Sequence, residues 1–553
     1  MSIQDLGMLF EFIGGLGMFL YGMNIMADGL QKSAGGKMKK LMEFLTKNRF
    51  VAILVGAGIT AIIQSSSATT VMVVGFVNAG MLSLAQAVGV IMGANIGTTI
   101  TAWIVSMSEW GSIFKPEFFA PVLVGIGAFC ILFAKAEKKK KLGEILVGFG
   151  ILFIGLTFMS GAITPYRDAP IFAQAFTVLG KNPILAILTG AVVTAIIQSS
   201  SASVGILQTL AINGVVNWQS AIFITLGQNI GTCVTALLSS AGAGKNAKRA
   251  SVIHLLFNAL GAVIFGIVMY VVFKFNAAWA SSTINSVEIS VFHTVFNIAN
   301  TLVLLPFANA LVKLSEKIVP GNDDEEQGEE SIADELRRRL DRRLLASPAL
   351  AIETALKEVN HMGQLALDNT KLALVSVGSL DKKQMKEVHR NENIVNELEK
   401  ALTSFLVEIN NQSLTEEQHL VVKNLLYTIS DIERVADHAD NIAELAESMK
   451  EDKVQFSEKG TKDLESISKV AMKALTNALE AREKNSLAAV KETEKYEDKV
   501  DALEDELREK HIQRLSKGKC VPESGVIFLD IISNLERISD HASNIAGYVA
   551  SEQ

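Results

Sequence analysis

At 553 residues with a net charge of -7, the chain is too long for one compact domain and too acidic for a general nucleic-acid binder. A positive mean hydropathy, +0.32, is unusual for a purely soluble protein. Its three cysteines, Cys130, Cys233 and Cys520, have neither metal-ligand nor disulfide spacing and read as packing residues.

The start, Met1 to Asp5, lacks a basic region and a small-residue cleavage site, so the first apolar stretch reads as a retained spanning helix. From Gly7 to about Lys313 apolar runs reach the roughly 20 residues that cross a bilayer. Full spans are expected at about 7–30, 84–106, 118–135, 143–163, 218–240, 252–275 and 289–312. After Pro320 such runs vanish and Glu, Lys, Arg and Asp alternate with Leu, Ala and Ile at helical spacing. The chain thus divides into a transmembrane domain, 1–319, a charged linker, 320–346, and a soluble helical domain, 347–553. The linker's acidic run, Asp323 to Glu326 with Glu329 and Glu330, reads as solvated.

Residues 47–106 laid over 181–240, at a constant offset of 134, match at roughly 26 of 60 positions without a gap, which is internal duplication. The similarity extends upstream, where Gly15 to Gly22 resembles Gly148 to Gly155, giving repeats of about 7–106 and 143–240. In each copy an apolar run, Val51 to Ile63 or Ile184 to Ile197, meets Gln-Ser-Ser-Ser after only about 13 residues, too few to cross a bilayer. Each is a broken helix that crosses once or a re-entrant hairpin that returns to its own side. Positive charge favours hairpins: Lys32 to Arg49, Lys138 to Lys141, Lys245 to Arg249 and everything after Lys313 then share one side. The N-terminus lies outside, the C-terminal domain is cytoplasmic, and the second copy is inverted relative to the first. Such inverted-topology repeats support alternating access around a midplane site.

Gln64, Ser65, Ser66, Ser67 and Gln198, Ser199, Ser200, Ser201 put hydrogen-bonding side chains in a row at membrane depth, where an unpaired polar group costs several kcal/mol. At a hairpin tip the second arm starts a helix, whose free amides and positive dipole end favour an anion. Carbonyls and the Gln oxygens suit an alkali cation. The next span also repeats: Asn95 and Thr98 correspond to Asn229 and Thr232 within Asn-Ile-Gly-Thr, where mid-span Gly and Asn suggest a local unwinding that frees carbonyls or, alternatively, small-residue packing; recurrence at a fixed distance from the tip favours these four as further substrate-site residues. Asp28, Glu144 and Glu288 lie near span ends and no Arg occurs within the hairpins, which favours a small inorganic anion over a larger substrate. His254 with Asn258 and His293 with Asn297 share His-x-x-Phe-Asn on the last two spans; bonds between those helices, or proton sensing, would explain them.

The doubled Gln-Ser-Ser-Ser with its Asn-Ile-Gly-Thr partners resembles the type II sodium-phosphate cotransporter family over about residues 7–313. That resemblance implies sodium-coupled phosphate movement with both tips forming the phosphate and sodium site, and leaves import or export open.

In the soluble part, Arg337 to Arg343 is a short basic helix facing anionic lipid or solvent. Glu433-Arg434 to Ala443 then recurs as Glu536-Arg537 to Ala546, at an offset of 103, within two copies of a three-helix unit running from about Ser347 through Thr415 to Tyr548. Glu433 with Asp437, and Glu536 with Asp540, are carboxylate pairs at i and i+4 that suit a cation or pair with the neighbouring Arg. The Glu-Arg-x-x-Asp-His-Ala-x-Asn-Ile-Ala strings resemble the PhoU domain over about 347–550, which implies a regulatory duty and bound iron, zinc or manganese.

The fold expected is therefore all-α: a polytopic membrane protein with inverted repeats and re-entrant hairpins, followed by a soluble bundle of two three-helix repeats. No nucleophile–base pair or nucleotide-binding loop marks an enzyme. The function expected is sodium-coupled phosphate transport across the inner membrane, tuned by the PhoU-like domain. A phosphate sensor without net transport and a carrier of another small anion are the alternatives. The partners are phosphate, sodium and the bilayer, with a homodimer or a signalling partner left open.

Overall fold

The computed structural model describes residues 3–44, 48–111, 115–166, 170–321, 339–517 and 521–553. The acidic linker run, Arg337, Arg338 and Cys520 lie outside the described residues. Two compact units emerge: Met1–Gly328 with Asp341–Ala349, and Glu329–Leu340 with Leu350–Gln553.

Among the described residues the membrane unit is built from helices, with one isolated antiparallel bridge between Asn217 and Thr283. Its first repeat holds α1 (Ile3–Phe44), α2 (Arg49–Ile63), α3 (Ser66–Asn78) and α4 (Leu84–Ser106), followed by α5 (Pro116–Phe133). Its second holds α6 (Glu137–Ile163), α7 (Pro170–Lys181), α8 (Pro183–Ile197), α9 (Ser200–Ile212), α10 (Trp218–Gly231) and α11 (Cys233–Ser239). Then come α12 (Lys245–Phe275), α13 (Ala277–Ser281), α14 (Ser286–Leu304) and α15 (Ala308–Ile318). Among the described residues, six helices are long and apolar enough to span a membrane: Asp5–Ala34, Leu84–Glu109, Glu137–Tyr166, Trp218–Ser239, Lys245–Phe275 and Ser286–Ile318. The seventh expected span, at 118–135, is the shorter apolar α5, which lies against α6. Its 18 residues rise about 27 Å, just under the thickness of a hydrocarbon core. The arms α2, α3 and α9 are shorter apolar helices too, and α7 meets α8 at 113°.

Close backbone approach holds each repeat together, and glycine permits it. A Cβ on Gly93 or Gly97 of α4 would strike the Ile53 or Ala57 carbonyl of α2, and one on Gly227 or Gly231 of α10 would strike the Ile187 or Ala191 carbonyl of α8. Between repeats, Gly15 meets the Gly155 carbonyl while Gly22 meets that of Gly148. Gly15 and Gly22 are the repeat equivalents of Gly148 and Gly155, so α1 and α6 cross about a pseudo-twofold axis. Without a hydrophobic drive between helices in lipid, such small-residue seams supply the packing energy.

The second unit consists of α16 (Pro348–Ser379), α17 (Lys382–Asn410), α18 (Glu416–Glu451), α19 (Glu458–Lys484), α20 (Leu487–Ser516) and α21 (Pro522–Ser551), two successive sets of three long helices. Amphipathic spacing turns Val422, Leu425, Ile429, Ile432, Val435 and Ala439 of α18 inward, and Phe528, Ile531, Ile532, Leu535 and Ile538 of α21 likewise. The bidentate Arg482–Glu552 pair, buried on both sides, ties α19 to the end of the chain.

Candidate functional site at the two hairpin tips

Each tip folds the same way for the same local reason. Gln64 ends α2 at φ 56°, ψ 23°, and Gln198 ends α8 at φ 56°, ψ 22°. That left-handed region is strained for a side chain with a Cβ, and strain of this kind clusters at ligand sites. Their amides close on the carbonyls of Thr60 (2.7 Å) and Thr194 (2.8 Å). Ser65 then caps α3, its hydroxyl accepting from Ala68 N at 3.1 Å, as Ser199 caps α9 by accepting from Ala202 N at 3.2 Å. Behind the tips, Thr60 donates to Thr69 and Thr194 to Ser203, both at 2.9 Å. The chain therefore reverses inside the helical core in both copies.

The tips meet. Ser66 Oγ lies 3.5 Å from Ser200 Oγ, its own equivalent in the other repeat, so the pseudo-twofold axis passes between them. Two helix N-termini thus face each other, and the amides of Ser66, Ser67, Ser200 and Ser201 lie in first turns where no carbonyl of the same helix can accept them. Opposed positive dipole ends repel unless an anion sits between them. A cavity of about 210 Å³ opens here, walled by Ile63 to Ser67, Gln198 to Ser201, and Met23, Asn24 and Ala27 of α1. It has room for a small oxyanion with some water.

The identical motifs are not in identical states. Gln64 is buried, donating from Nε2 to Ala61 O at 2.6 Å and accepting at Oε1 from Thr101 at 3.0 Å. Gln198 is exposed on the cavity wall. Thr101 of α4 in turn accepts from Ser201 Oγ at 3.4 Å and so joins both tips. Asn24 and Thr101 are site residues that sequence reasoning missed. The four Asn-Ile-Gly-Thr residues stand off the cavity wall. Asn95 donates to Ile91 O and Thr232 to Gln228 O within their own helices, Thr98 is buried, and Asn229 donates to Asn297 at 2.9 Å. A helix break occurs at Thr232 between α10 and α11, while α4 runs unbroken past Thr98.

His293 approaches Asn229 Oδ1 through Nε2 at 3.1 Å, and Asn258 and Asn297 donate to the His254 and His293 carbonyls one turn back. The first motif thus bonds its own helix and, through Asn258 and Cys233, α11, while the second bonds its own helix and α10; the two spans are joined by Asn300 of α14, which donates to the Phe257 carbonyl at 3.4 Å. Near the second tip, Gln228 donates to Ser203 at 3.0 Å, which leaves its Oε1 buried with no partner.

In the soluble unit, the recurring motifs meet across their own pseudo-twofold. His438 and His541 stack with ring centroids 5.6 Å apart. His438 Nδ1 pairs with Asn534 Oδ1 at 2.8 Å, while His541 Nδ1 pairs with Asp431 Oδ1 at 2.7 Å. Asp431 also accepts from Tyr548 at 2.9 Å, and burial together with that carboxylate pushes the phenol up to about 12. Of the four acidic candidates, Asp540 gathers with Glu497 and Asp501 of α20, their oxygens all within 4.8 Å of one another. Burial and mutual repulsion raise the Glu497, Asp501 and Glu536 carboxyls above their ordinary values. Glu433 is raised likewise by burial and by Asp437, with Glu392 of α17 nearby. Arg434 pairs with Glu433 and Asp437, and Arg537 with Glu536 and Asp540. Crowded, raised carboxylates are a donor set suited to a hard cation. Glu497 and Asp501 lie outside the recurring motif, and their own i, i+4 spacing on α20 was the available signal.

These features define a multi-pass, all-helical membrane protein with an inverted duplication and a helical bundle following it. The family model described as Na+/Pi-cotransporter matches residues 18–161 and 169–292, and that of the PhoU domain matches 359–446 and 464–549. The chain belongs to the Na+/Pi-cotransporter family and carries a C-terminal PhoU domain. It is 24% identical over 549 residues to YjbB of Escherichia coli (strain K12), named provisionally as an inorganic phosphate export protein, covering 99% of this chain and 98% of that one. With YqeW of Bacillus subtilis (strain 168) it shares 31% over 305 residues, 55% of this chain and 95% of the relative. The human sodium-dependent phosphate transport protein 2B is 34% identical over 118 residues, 21% of this chain and 17% of that protein.

Proposed function

We propose that the chain moves inorganic phosphate together with sodium across the cell's inner membrane by alternating access, with phosphate held between the two Gln-Ser-Ser-Ser tips. The observation that carries this reading is the Ser66–Ser200 approach, which turns two positive helix ends and their free amides onto one small, neutral-walled cavity. Gln198 and Asn24 supply further donors and acceptors on that wall. Sodium fits the unmet acceptor of Gln228 beside Ser203, since a buried amide oxygen without a partner is stabilised by a cation. Asn95, Thr98, Asn229 and Thr232 act as the frame that backs the tips.

The division into a transport domain over 1–319, a linker over 320–346 and a regulatory domain over 347–553 belongs to this reading. The excess of Lys and Arg in the basic segments supports an N-terminus outside and a PhoU domain in the cytoplasm. There, Glu433 with Asp437, and Glu536 with Asp540, Glu497 and Asp501, bind a divalent or iron-type cation as part of a regulatory rather than catalytic duty. The name of YjbB favours release of phosphate and that of the human protein favours sodium dependence.

Labelled phosphate flux in proteoliposomes, read in both directions with and without a sodium gradient, tests the proposal. Sodium-dependent flux that is abolished by Gln198→Ala and by Gln64→Ala supports it. Saturable phosphate binding with no flux would replace it with a sensor, and equal flux of sulfate would widen the substrate.

A further inference from the structure

The residues that lead from the membrane unit into the helical bundle do not merely pass by the first hairpin. From Asp341 to Ser347 they cross the Asn78 end of α3, as part of the membrane unit itself. Asp341 is only 6% exposed. Its carboxylate accepts from Asn78 Nδ2 at 2.9 Å, from the Arg343 guanidinium at 2.8 Å and from the Arg343 amide at 2.9 Å. Asn78 holds the start of α12 with its other end, its Oδ1 accepting from Gly244 N at 2.9 Å. Arg343 Nε donates to the Ser239 carbonyl at 2.9 Å, at the last turn of α11, where a cation also meets the negative dipole end. Leu344 is fully buried.

Gly75 is the floor of this seat. A Cβ there would lie 3.1 Å from Arg343 Cβ, 3.5 Å from Leu344 Cδ2 and 3.7 Å from the Asp341 carboxyl carbon. The second hairpin is seated differently: the offset of 134 puts Thr209 where Gly75 stands and Ile212 where Asn78 stands, and the next residue, Asn213, donates to Ser160 Oγ and accepts from Thr164 Oγ1, both at 2.9 Å. Thr209 bonds back to Gly205 O instead. The segment therefore engages one hairpin of the two. The far end of that same rigid helix is the tip, Ser65 and Ser66, about 20 Å away along 13 residues.

We infer that Asp341–Ser347 is a latch that holds the first hairpin in its present arrangement, and that the latch must release for the tips to exchange between their two states. This rests on the transport reading above. Being continuous with α16 at Pro348, the latch is also the point at which a pull on the chain from the soluble side reaches the hairpin. A restraint on one of two near-equivalent states slows the cycle without touching the substrate.

The experiment uses the full chain in proteoliposomes. Asp341→Asn strips the charge from the centre of the seat, and Gly75→Val wedges it from below. Both are expected to raise sodium-driven phosphate flux about fivefold or more with the KM for phosphate unchanged, the size of ordinary coupling between sites. Conversely, Asn78→Cys with Asp341→Cys, in a chain whose Cys130, Cys233 and Cys520 are replaced by alanine, is bridged with a short, reducible thiol cross-linker. Bridging should stop flux and reduction should restore it. Undiminished flux in the bridged protein overturns the latch, as does unchanged or reduced flux in Asp341→Asn when that variant is folded. Should either seat variant fail to fold, the bridged protein decides alone. Absence of flux from the intact, unbridged chain would remove the transport reading and the latch together, whereas the other failures remove only the latch.

Discussion

Two duplicated regions of this molecule meet themselves, one at Ser66 and Ser200 in the membrane unit and one at His438 and His541 in the soluble unit. At the first meeting point every group is neutral; around the second, carboxylates crowd on both sides. The difference follows from the surroundings. An unpaired charge in hydrocarbon is costly, so the membrane duplication gathers hydroxyls, amides and helix ends, and lets the ligand bring the charge. In water, fixed acidic groups are affordable even when they repel, and the repulsion is itself an attraction for a cation. Within each pair the copies then diverge by single contacts: Gln64 tied down against Gln198 on the cavity wall, Asp431 against Asn534 beside the histidines.

The largest expected effect falls on the neutral meeting point. Ser200→Leu, or Ser66→Leu, places a branched apolar side chain where two hydroxyls stand 3.5 Å apart. Flux should drop at least 100-fold, equal to about 3 kcal/mol in the barrier, in protein that still elutes as a folded species. Near-normal flux in Ser200→Leu would mean that the tips do not share a substrate.

Next is the charged meeting point. Raised carboxyls at Glu497, Asp501 and Glu536 mean that ionisation costs the folded state stability. That cost is fully present above the raised values and absent below the ordinary carboxylate range near 4. A cation at about thirtyfold excess over its dissociation constant should therefore stabilise the α20–α21 pair by about 2 kcal/mol at neutral pH and lose that effect on acidification. Glu497→Gln with Asp501→Asn should make the metal-free bundle more stable and metal-insensitive. Hydrogen exchange of the α20 and α21 amides in the full chain reads both, and a variant less stable without metal breaks the comparison.

A smaller effect probes what joins the two tips. Thr101→Val keeps the shape and removes the hydroxyl that donates to Gln64 and accepts from Ser201. The KM for phosphate should rise about tenfold, near the worth of one or two buried hydrogen bonds, with sodium dependence retained. An unchanged KM would assign Thr101 to packing alone.

How much of this was legible beforehand differs between the regions. The duplication and the 13-residue arms carried the hairpins, because a polar string that interrupts an apolar run has few physical solutions in a bilayer. The asymmetry of the copies was illegible at Gln64 and Gln198, where the letters are the same and only tertiary neighbours differ. Thr101 and Asn24 escaped because each sits on a spanning helix as one polar residue among many, and only assembly turns it toward the tips. The span expected at 118–135 shows the opposite limit: composition gave its apolar character, but the helix that forms, Pro116–Phe133, ends two residues earlier and lies packed against α6. In the soluble unit the recurring string exposed Asp540, while Glu497 and Asp501, on a different helix, enter through the bundle's packing.

The smallest predicted effect tests whether the partner at Nδ1 sets the response of His438 to pH. Burial, the largest cause, pulls His438 below the ordinary imidazole value; its bond to Asn534 opposes this and the neighbouring His541 adds to the fall. A histidine depressed in the folded state favours folding fully above its unfolded value near 6.5, and that contribution is lost as pH falls through it. Asn534→Asp would put a carboxylate at Nδ1, matching the Asp431 arrangement on the other side. The charged imidazole is then stabilised, so the loss of stability between pH 7.5 and 5 should shrink. Because His438 is partly open to solvent, screening limits the change to about 0.5 kcal/mol. Exchange protection of the amides around Ile432 to Ala446, compared between the two pH values, measures it. A steeper loss in the variant would show that the carboxylate's own burial outweighs its pairing, and the two partners would then have to be treated as structural rather than electrostatic choices.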